Sequence, residues 1–280
     1  MSAVAVRREI GLRSTFDICA FIDELGFSAN GKLCVNGADG PRGTVFVEGG
    51  RVCWAAARGL ARRLSELLGA RAALAPAAME SLFQQCKAER IPLGEHLVSR
   101  GVLSAAQLRE ALLQHTIESL RHVCIVEGRG AWCPHPGAGY SPRFTFATAE
   151  VVARAGAAEH AEVAASVRPL LATLFDEGEW AAAFVRPSGC AFPEPVAVHG
   201  RVPHAATALL RMGKWAASVL DVAAVFSGDA PILSVSRASP SGDISLVAFR
   251  HGDAVVTGET GAHGPARILN HRAQQRRIGA

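Results

Sequence analysis

GTVFVEGGRVCWAAA, residues 43–57, places a Gly-Gly pair between two apolar runs. Two adjacent glycines can both take a positive φ, which a two-residue hairpin turn demands, so 44–48 and 51–55 should pair antiparallel. With Gly49 and Gly50 as the loop, Glu48 is expected to face Arg51, Val47 to face Val52, Phe46 to face Cys53 and Val45 to face Trp54. Val45, Val47, Val52 and Trp54 then share a face that needs burial, while Glu48 and Arg51 pair beside the turn. The stretch has neither a Gly-x-Gly-x-x-Gly nor a Gly-Lys-Ser/Thr run and leads into a strand, so it reads as scaffold and not as a phosphate loop.

Outward from the hairpin, residues 12–27 suggest a helix with Phe16, Cys19, Ala20 and Asp23 on one stripe, Ser14 as N-cap and Gly26 as stop. A strand over 31–36 follows, joined to the hairpin by a turn-rich 37–43. Helices are expected over 61–68 and after Pro76, the latter with Met79, Leu82, Phe83 and Cys86 on its core face. Residues 92–115 form the most regular segment: Pro92 suits a first helical position, Leu93, Leu97 and Val98 make one face, and Gly101 ends the helix. Ser104 with Gln107 makes a capping box for a second helix burying Leu108, Leu112, Leu120 and Val123 or Cys124. The two helices meet in an elbow. Residues 127–132 and 143–148 look like a closing hairpin around a loop with Cys133, His135 and Tyr140.

The remainder reads as a linker-like 150–159, a helix over 160–175, a strand over 180–186, a turn at 187–189 and a strand at 196–199. A long helix over 203–225 with Ala206, Leu209, Leu210, Gly213, Ala217, Leu220 and Ala224 on one side comes next, then strands over 232–237, 244–250 and 254–257, and a last helix from Pro265. The expected fold class is α+β in two domains. Residues 1–150 would hold a hairpin sheet with a helical elbow at 92–126, and residues 160–280 an αββαβββα sheet-and-helix domain.

Composition narrows the function. Hydrophobic residues make up 49% and charged residues 19% of the 280, a balance that supports packed cores. The net charge of +4 comes with no basic stripe interleaved with aromatics, so nucleic acid is not an expected partner. Charges interrupt the opening MSAVAVRREIGLRS where a signal peptide needs an apolar core, and no run approaches the roughly 20 apolar residues of a membrane span. Seven irregularly spaced cysteines, none in a Cys-x-x-Cys, argue against a disulfide framework and for a reducing cytoplasm. The excess of arginine over lysine and the abundant alanine suggest a bacterial, GC-rich genome.

No His-Glu-x-x-His, Gly-x-Ser-x-Gly or Gly-Lys-Ser/Thr motif is present, and no enzyme is expected: no catalytic, cofactor-binding or metal-binding residue is assigned. Cys124, Cys133 and His135 lack structural-zinc spacing and a fourth ligand. Asp17, Asp23 and Glu24 read as a solvated helix face, and His96, His115 and His122 do not share one stripe.

Residues 12–150, with SANGKLCVN, GTVFVEGGRVCWA, PLGEHLVSRGVLSAAQLREALLQ, TIESLRHVCIVEGRGAW and FTF in that order, resemble the PatA-type N-terminal domain of bacterial signalling proteins. The elbow is also similar to the N-terminal domain of secretion and pilus-assembly ATPases, some of which bind cyclic di-GMP. Leu93, Gly94, Leu97, Val98, Gly101, Val102, Leu103, Leu108 and Leu112 match that pattern. Pro92 stands where it has Arg and His115 where it has Gln, and a second copy is missing. AAAFVRPSGCAFPEP, PHAATALLRMGKWAASVL, DISLVAFRHGDAVVTGE and PARILNHRA, over about 160–275, resemble the roadblock/dynein light chain family. That resemblance implies a five-stranded sheet with helices on its faces, dimerisation, and a Ras-like GTPase as partner. The expectation is a cytoplasmic, non-enzymatic signalling or scaffold protein, a homodimer through its C-terminal domain with Met212, Gly213 and Trp215 at the contact. The alternative is a cyclic-dinucleotide sensor using 92–115, with Arg100 and Arg109 as its nearest cations.

Overall fold

A computed structural model describes residues 9–12, 14–124, 128–137, 139–186, 193–200, 205–227, 231–238 and 243–278. The fold is mixed α+β, with two five-stranded antiparallel sheets, and the chain divides into two compact units, Met1–Ala147 and Thr148–Ala280. The turn expected at 187–189, Cys190 and the expected helix start at Pro203 lie outside the described residues.

The first unit runs β1 (Glu9–Leu12), α1 (Thr15–Leu25), β2 (Gly31–Gly37), β3 (Gly40–Glu48), β4 (Arg51–Ala57), α2 (Leu64–Arg71), α3 (Pro76–Glu89), α4 (Leu93–Ser99), α5 (Ala105–Cys124) and β5 (Gly128–Pro134), with the sheet ordered β1-β5-β2-β3-β4. The hairpin forms on the two glycines, at φ 59° and 67°, and Glu48 faces Arg51 and Val47 faces Val52 as expected. Beyond that the expected register fails. A β-bulge at Phe46/Val47 leaves Cys53 as the extra residue, so Phe46 faces Trp54 and Val45 faces Ala55. The correction moves Trp54 off the buried face: Val45, Val47, Val52 and Ala55 are buried, while Trp54 stacks on Phe46 with ring centroids 4.8 Å apart and planes 4° from parallel.

Other boundaries shift for local reasons. Residues 37–43 are mostly strand, because β2 and β3 meet through a tight turn ending at Gly40, φ 105°. Helix α1 is capped as expected, with Ser14 and Asp17 exchanging hydrogen bonds in a capping box. Its buried face is Ile18, Cys19, Phe21 and Ile22, not the stripe through Phe16, Ala20 and Asp23. Pro92 is the N-cap of α4, outside the helix. Residues 143–148 make no hairpin: β5 pairs instead with β1 and β2, and Phe146 exchanges two backbone hydrogen bonds with Val52 in a single bridge.

The second unit runs α6 (Thr148–Glu159), α7 (Ala161–Leu174), β6 (Trp180–Val185), β7 (Glu194–Gly200), α8 (Ala206–Ser227), β8 (Ile232–Arg237), β9 (Ile244–His251), β10 (Ala254–Gly261) and α9 (Gly264–Ile278), with sheet order β7-β6-β10-β9-β8. What reads as a linker over 150–159 is helix α6, which packs on β7 and α8. The sheet is covered on both sides, which is why β6 is buried along its whole apolar run. One face buries Ala183, Val247, Phe249 and Val256 against Val167 and Leu171 of α7 and Ile268 of α9, with Phe175 in the same cluster. The other holds Ala182, Phe184, Ala248 and Val255 against α8. Thr148, buried at the start of α6, accepts a hydrogen bond from the Ala206 N–H at 3.1 Å and so caps α8.

Candidate functional site

Two regions are candidates by sequence, the elbow and the 212–215 segment. At the elbow, Gly101 takes φ 68° and Ser104 and Gln107 exchange hydrogen bonds of 2.8 and 3.1 Å, so α4 and α5 meet as their capping residues dictate. Of the apolar residues that match the dinucleotide pattern, all but the exposed Val102 belong to the core or pack against it. Leu97, Leu103 and Leu108 are buried with Leu68, Met79 and Ala111, and Leu93, Val98 and Leu112 pack around them. A Cβ on Gly94 would sit 2.7 Å from Leu108, so that glycine permits the close approach of α4 to α5.

The elbow's polar residues do not converge on a ligand. The Arg109 guanidinium lies 4.8 Å over the Phe146 ring and donates to the Thr145 carbonyl at 3.5 Å. His115 is buried and engages the Ala55 backbone; burial holds its pKa below the ordinary imidazole value, against the opposing pull of Glu118. Arg100 is exposed at the end of α4. Of the two cations nearest the elbow, one is thus spent on an aromatic ring within the same unit.

On α8, Gly213 is buried: a Cβ there would approach the Phe184 ring to 2.5 Å, so it serves contact with the unit's own sheet and is removed from any partner surface. Met212 is half-buried, and Trp215 is half-buried against Ala216, Ala217, Leu220, Ala248 and Val255. The exposed apolar side chains lie further along, at Val222 (60%) and Val225 (81%), with Val235 (60%) on β8. Val235 faces Leu246 across the ladder, two residues from Leu233, which packs on the α8 side. Among the described residues strand β8 is an edge of its sheet, hydrogen-bonded to β9 alone.

Among the described residues, Cys124, Cys133 and His135 form no metal-like group, and the His135 ring pairs with the Pro136 carbonyl at 2.6 Å. The group that does bring three ligand atoms within 4.8 Å of one another is Glu159, His160 and Glu194, with His160 Nε2 3.3 Å from a Glu194 oxygen. It is not legible in the sequence because the stretch that ends α6 at Glu159 has a linker's composition; the Glu194 carboxylate already engages the imidazole, and Glu159 is exposed. Burial pushes the Cys53 and Cys124 thiols up to about 12 and raises Cys19 well above its ordinary value, the opposite of an activated nucleophile. A shallow groove of about 470 Å³ between α7 and α9 includes Arg267, whose guanidinium is already held by Asp176 at 2.6 Å and Glu179 at 2.7 Å. Among the described residues no helix is long and apolar enough to cross a membrane. Comparison with protein-family models, curated proteins and solved structures finds no match.

Proposed function

We propose that this protein is a non-enzymatic signalling or scaffold protein that works through protein–protein contacts, joining a PatA-like N-terminal domain to a roadblock-like C-terminal domain. The observation that carries the reading is the apolar edge of the second unit. Among the described residues strand β8 has no partner on its outer side, and Val222, Val225 and Val235 stay in water although Val167, Val196, Val247 and Val256 of the same unit are fully buried. A valine-bearing edge strand whose one charge, Arg237, stands at its last position leaves the stretch from Ile232 to Ser236 open to another strand. A second copy of the chain is the simplest occupant, and a Ras-like GTPase is the partner that the roadblock resemblance suggests.

The test uses the full chain in sedimentation velocity over a wide concentration range. The expected result is a reversible dimer that is weakened by Val235→Lys, since a lysine on an edge strand opposes edge pairing. A monomer at all concentrations, with Val235→Lys indistinguishable from the parent, would remove the homodimer and leave only a heterologous partner. Capture of a GTPase that survives loss of the dimer would then assign the edge to that partner.

A further inference from the structure

The open face of the first sheet, opposite the buried Leu33, Val35, Val45 and Val47, is arranged in two rows. Strand register places Ala131, Cys34, Thr44 and Ala56 side by side in one row, and Cys133, Lys32, Phe46 and Trp54 in the next. Cys34 and Cys133 are therefore diagonal neighbours on adjacent strands. Both are free thiols, partly exposed, on the same face of the sheet. Bulk stands to one side of the pair, in Phe46 and Trp54; next to it are small residues, Ala131 and Thr44.

We propose that Cys34 and Cys133 form a two-coordinate binding site for a soft monovalent d¹⁰ cation, with Cu(I) as the representative ion. Sulfur ligands select soft ions over hard ones, which identifies the ligand class. The coordination number follows from the neighbours. No group of three His, Cys, Asp or Glu ligands among the described residues includes either cysteine, so a tetrahedral zinc site, which takes four protein ligands when structural, is not available. Charge agrees as well. One monovalent ion and two thiolates carry a net charge of −1, and Lys32, directly opposite Cys133 and two residues from Cys34, lies beside them.

Binding is written Cu⁺ + 2 RSH → [Cu(SR)₂]⁻ + 2 H⁺: two S–Cu bonds form, two S–H bonds break, and both protons leave to water with no change of oxidation state. A disulfide suits the pair less well. Diagonal residues in an antiparallel ladder stand about 7–8 Å apart at Cα, whereas a disulfide takes about 4.4–6.8 Å. Proton release on binding makes the affinity fall as the solution is acidified.

The experiment is an anaerobic titration of the reduced full chain with Cu(I) in competition with a chromogenic Cu(I) chelator, together with X-ray absorption at the copper edge. The expected result is one tightly held ion with two sulfur neighbours, lost in Cys34→Ser and in Cys133→Ser and kept in Cys124→Ser. Lys32→Glu, at an exposed position where folding is not at stake, should weaken binding several-fold. Retention of the ion by either serine variant, loss of it in Cys124→Ser, a copper edge with three or more sulfurs, an unaltered affinity in Lys32→Glu, or a Cys34–Cys133 disulfide in place of the complex would each overturn the proposal. None of these outcomes bears on whether β8 mediates dimerisation.

Discussion

The two glycines of the first hairpin look interchangeable in sequence but should respond very differently to alanine. At both, an L-residue is forced into the left-handed region, at a cost of about 1–2 kcal/mol. At Gly49 nothing is added, because a Cβ would meet only the Phe27 carbonyl at 3.8 Å. At Gly50 the Cβ would stand 2.7 Å from the Gly26 carbonyl and 2.9 Å from the Phe27 Cα. Both are backbone atoms at the end of α1, and displacing them is overpacking worth about 1–3 kcal/mol more. Gly49→Ala should therefore cost about 1–2 kcal/mol, and Gly50→Ala about 2–5 kcal/mol. Gly49→Asn should be almost neutral, since asparagine tolerates a positive φ and Asn-Gly is a favoured turn pair. Hydrogen exchange of the β3 and β4 amides reads the opening free energy of this hairpin separately from the second unit, with urea denaturation as the global check. Equal losses in the two alanine variants would refute the claim that the hairpin tip is packed against the α1 terminus.

Phe146→Ala should destabilise the first unit by about 3–5 kcal/mol, because its fully buried ring also receives Arg109, and chemical denaturation measures it. Gly213→Leu should lower the melting temperature of the second unit by forcing the Phe184 ring aside, whereas the exposed Val222→Ser should not; thermal unfolding compares them. His115 has a folded pKa below its unfolded value near 6.5, so its neutral form is favoured by folding. Stability from this residue is complete above that value and is lost as pH falls through the range between the unfolded and the lower folded pKa; a stability–pH series should show a smaller acid loss in His115→Gln than in the parent.

What could be read from the sequence was what depends on near neighbours. The Gly49-Gly50 turn, the Ser14 cap, the Ser104–Gln107 capping box and the Gly101 stop all form as expected, each from chemistry within four residues. The bulge at Cys53 was not legible, because alternation along β4 is consistent with either register. Its choice rests on burying Val52 and Cys53 together and stacking Trp54 on Phe46, which only the assembled sheet decides. Helix α6 was hidden by its own composition. Alanines and Gly156 resemble a linker, yet a Cβ on Gly156 would collide with the Pro195 carbonyl, so the small residues are there to let β7 come close. Strand β1 is not legible in the sequence, because its partner β5 lies more than a hundred residues away. Among the candidate contact residues, the smallness of Gly213 does permit close approach, but the approach is to Phe184 within the same unit.

The case for docking over bond-breaking lies in where polar groups go. Glu48 accepts from the Gly139 and Tyr140 N–H groups, Arg51 donates to Thr145, Asp221 is shared between Arg186 and Arg250, and Arg267 is closed by Asp176 and Glu179. Each set satisfies itself within its own unit and holds a loop or a strand end in place. Catalysis requires the reverse, ionisable groups aimed together at a point where a substrate atom can sit. Two described groups of another kind are open to solvent. Val222 and Val225 on α8 and Val235 on the edge strand β8 are apolar and solvated, and Cys34 and Cys133 are soft and adjacent on one face of the first sheet. The first gains free energy by excluding water against another surface and the second by exchanging protons for an ion, and neither gain needs a transition state.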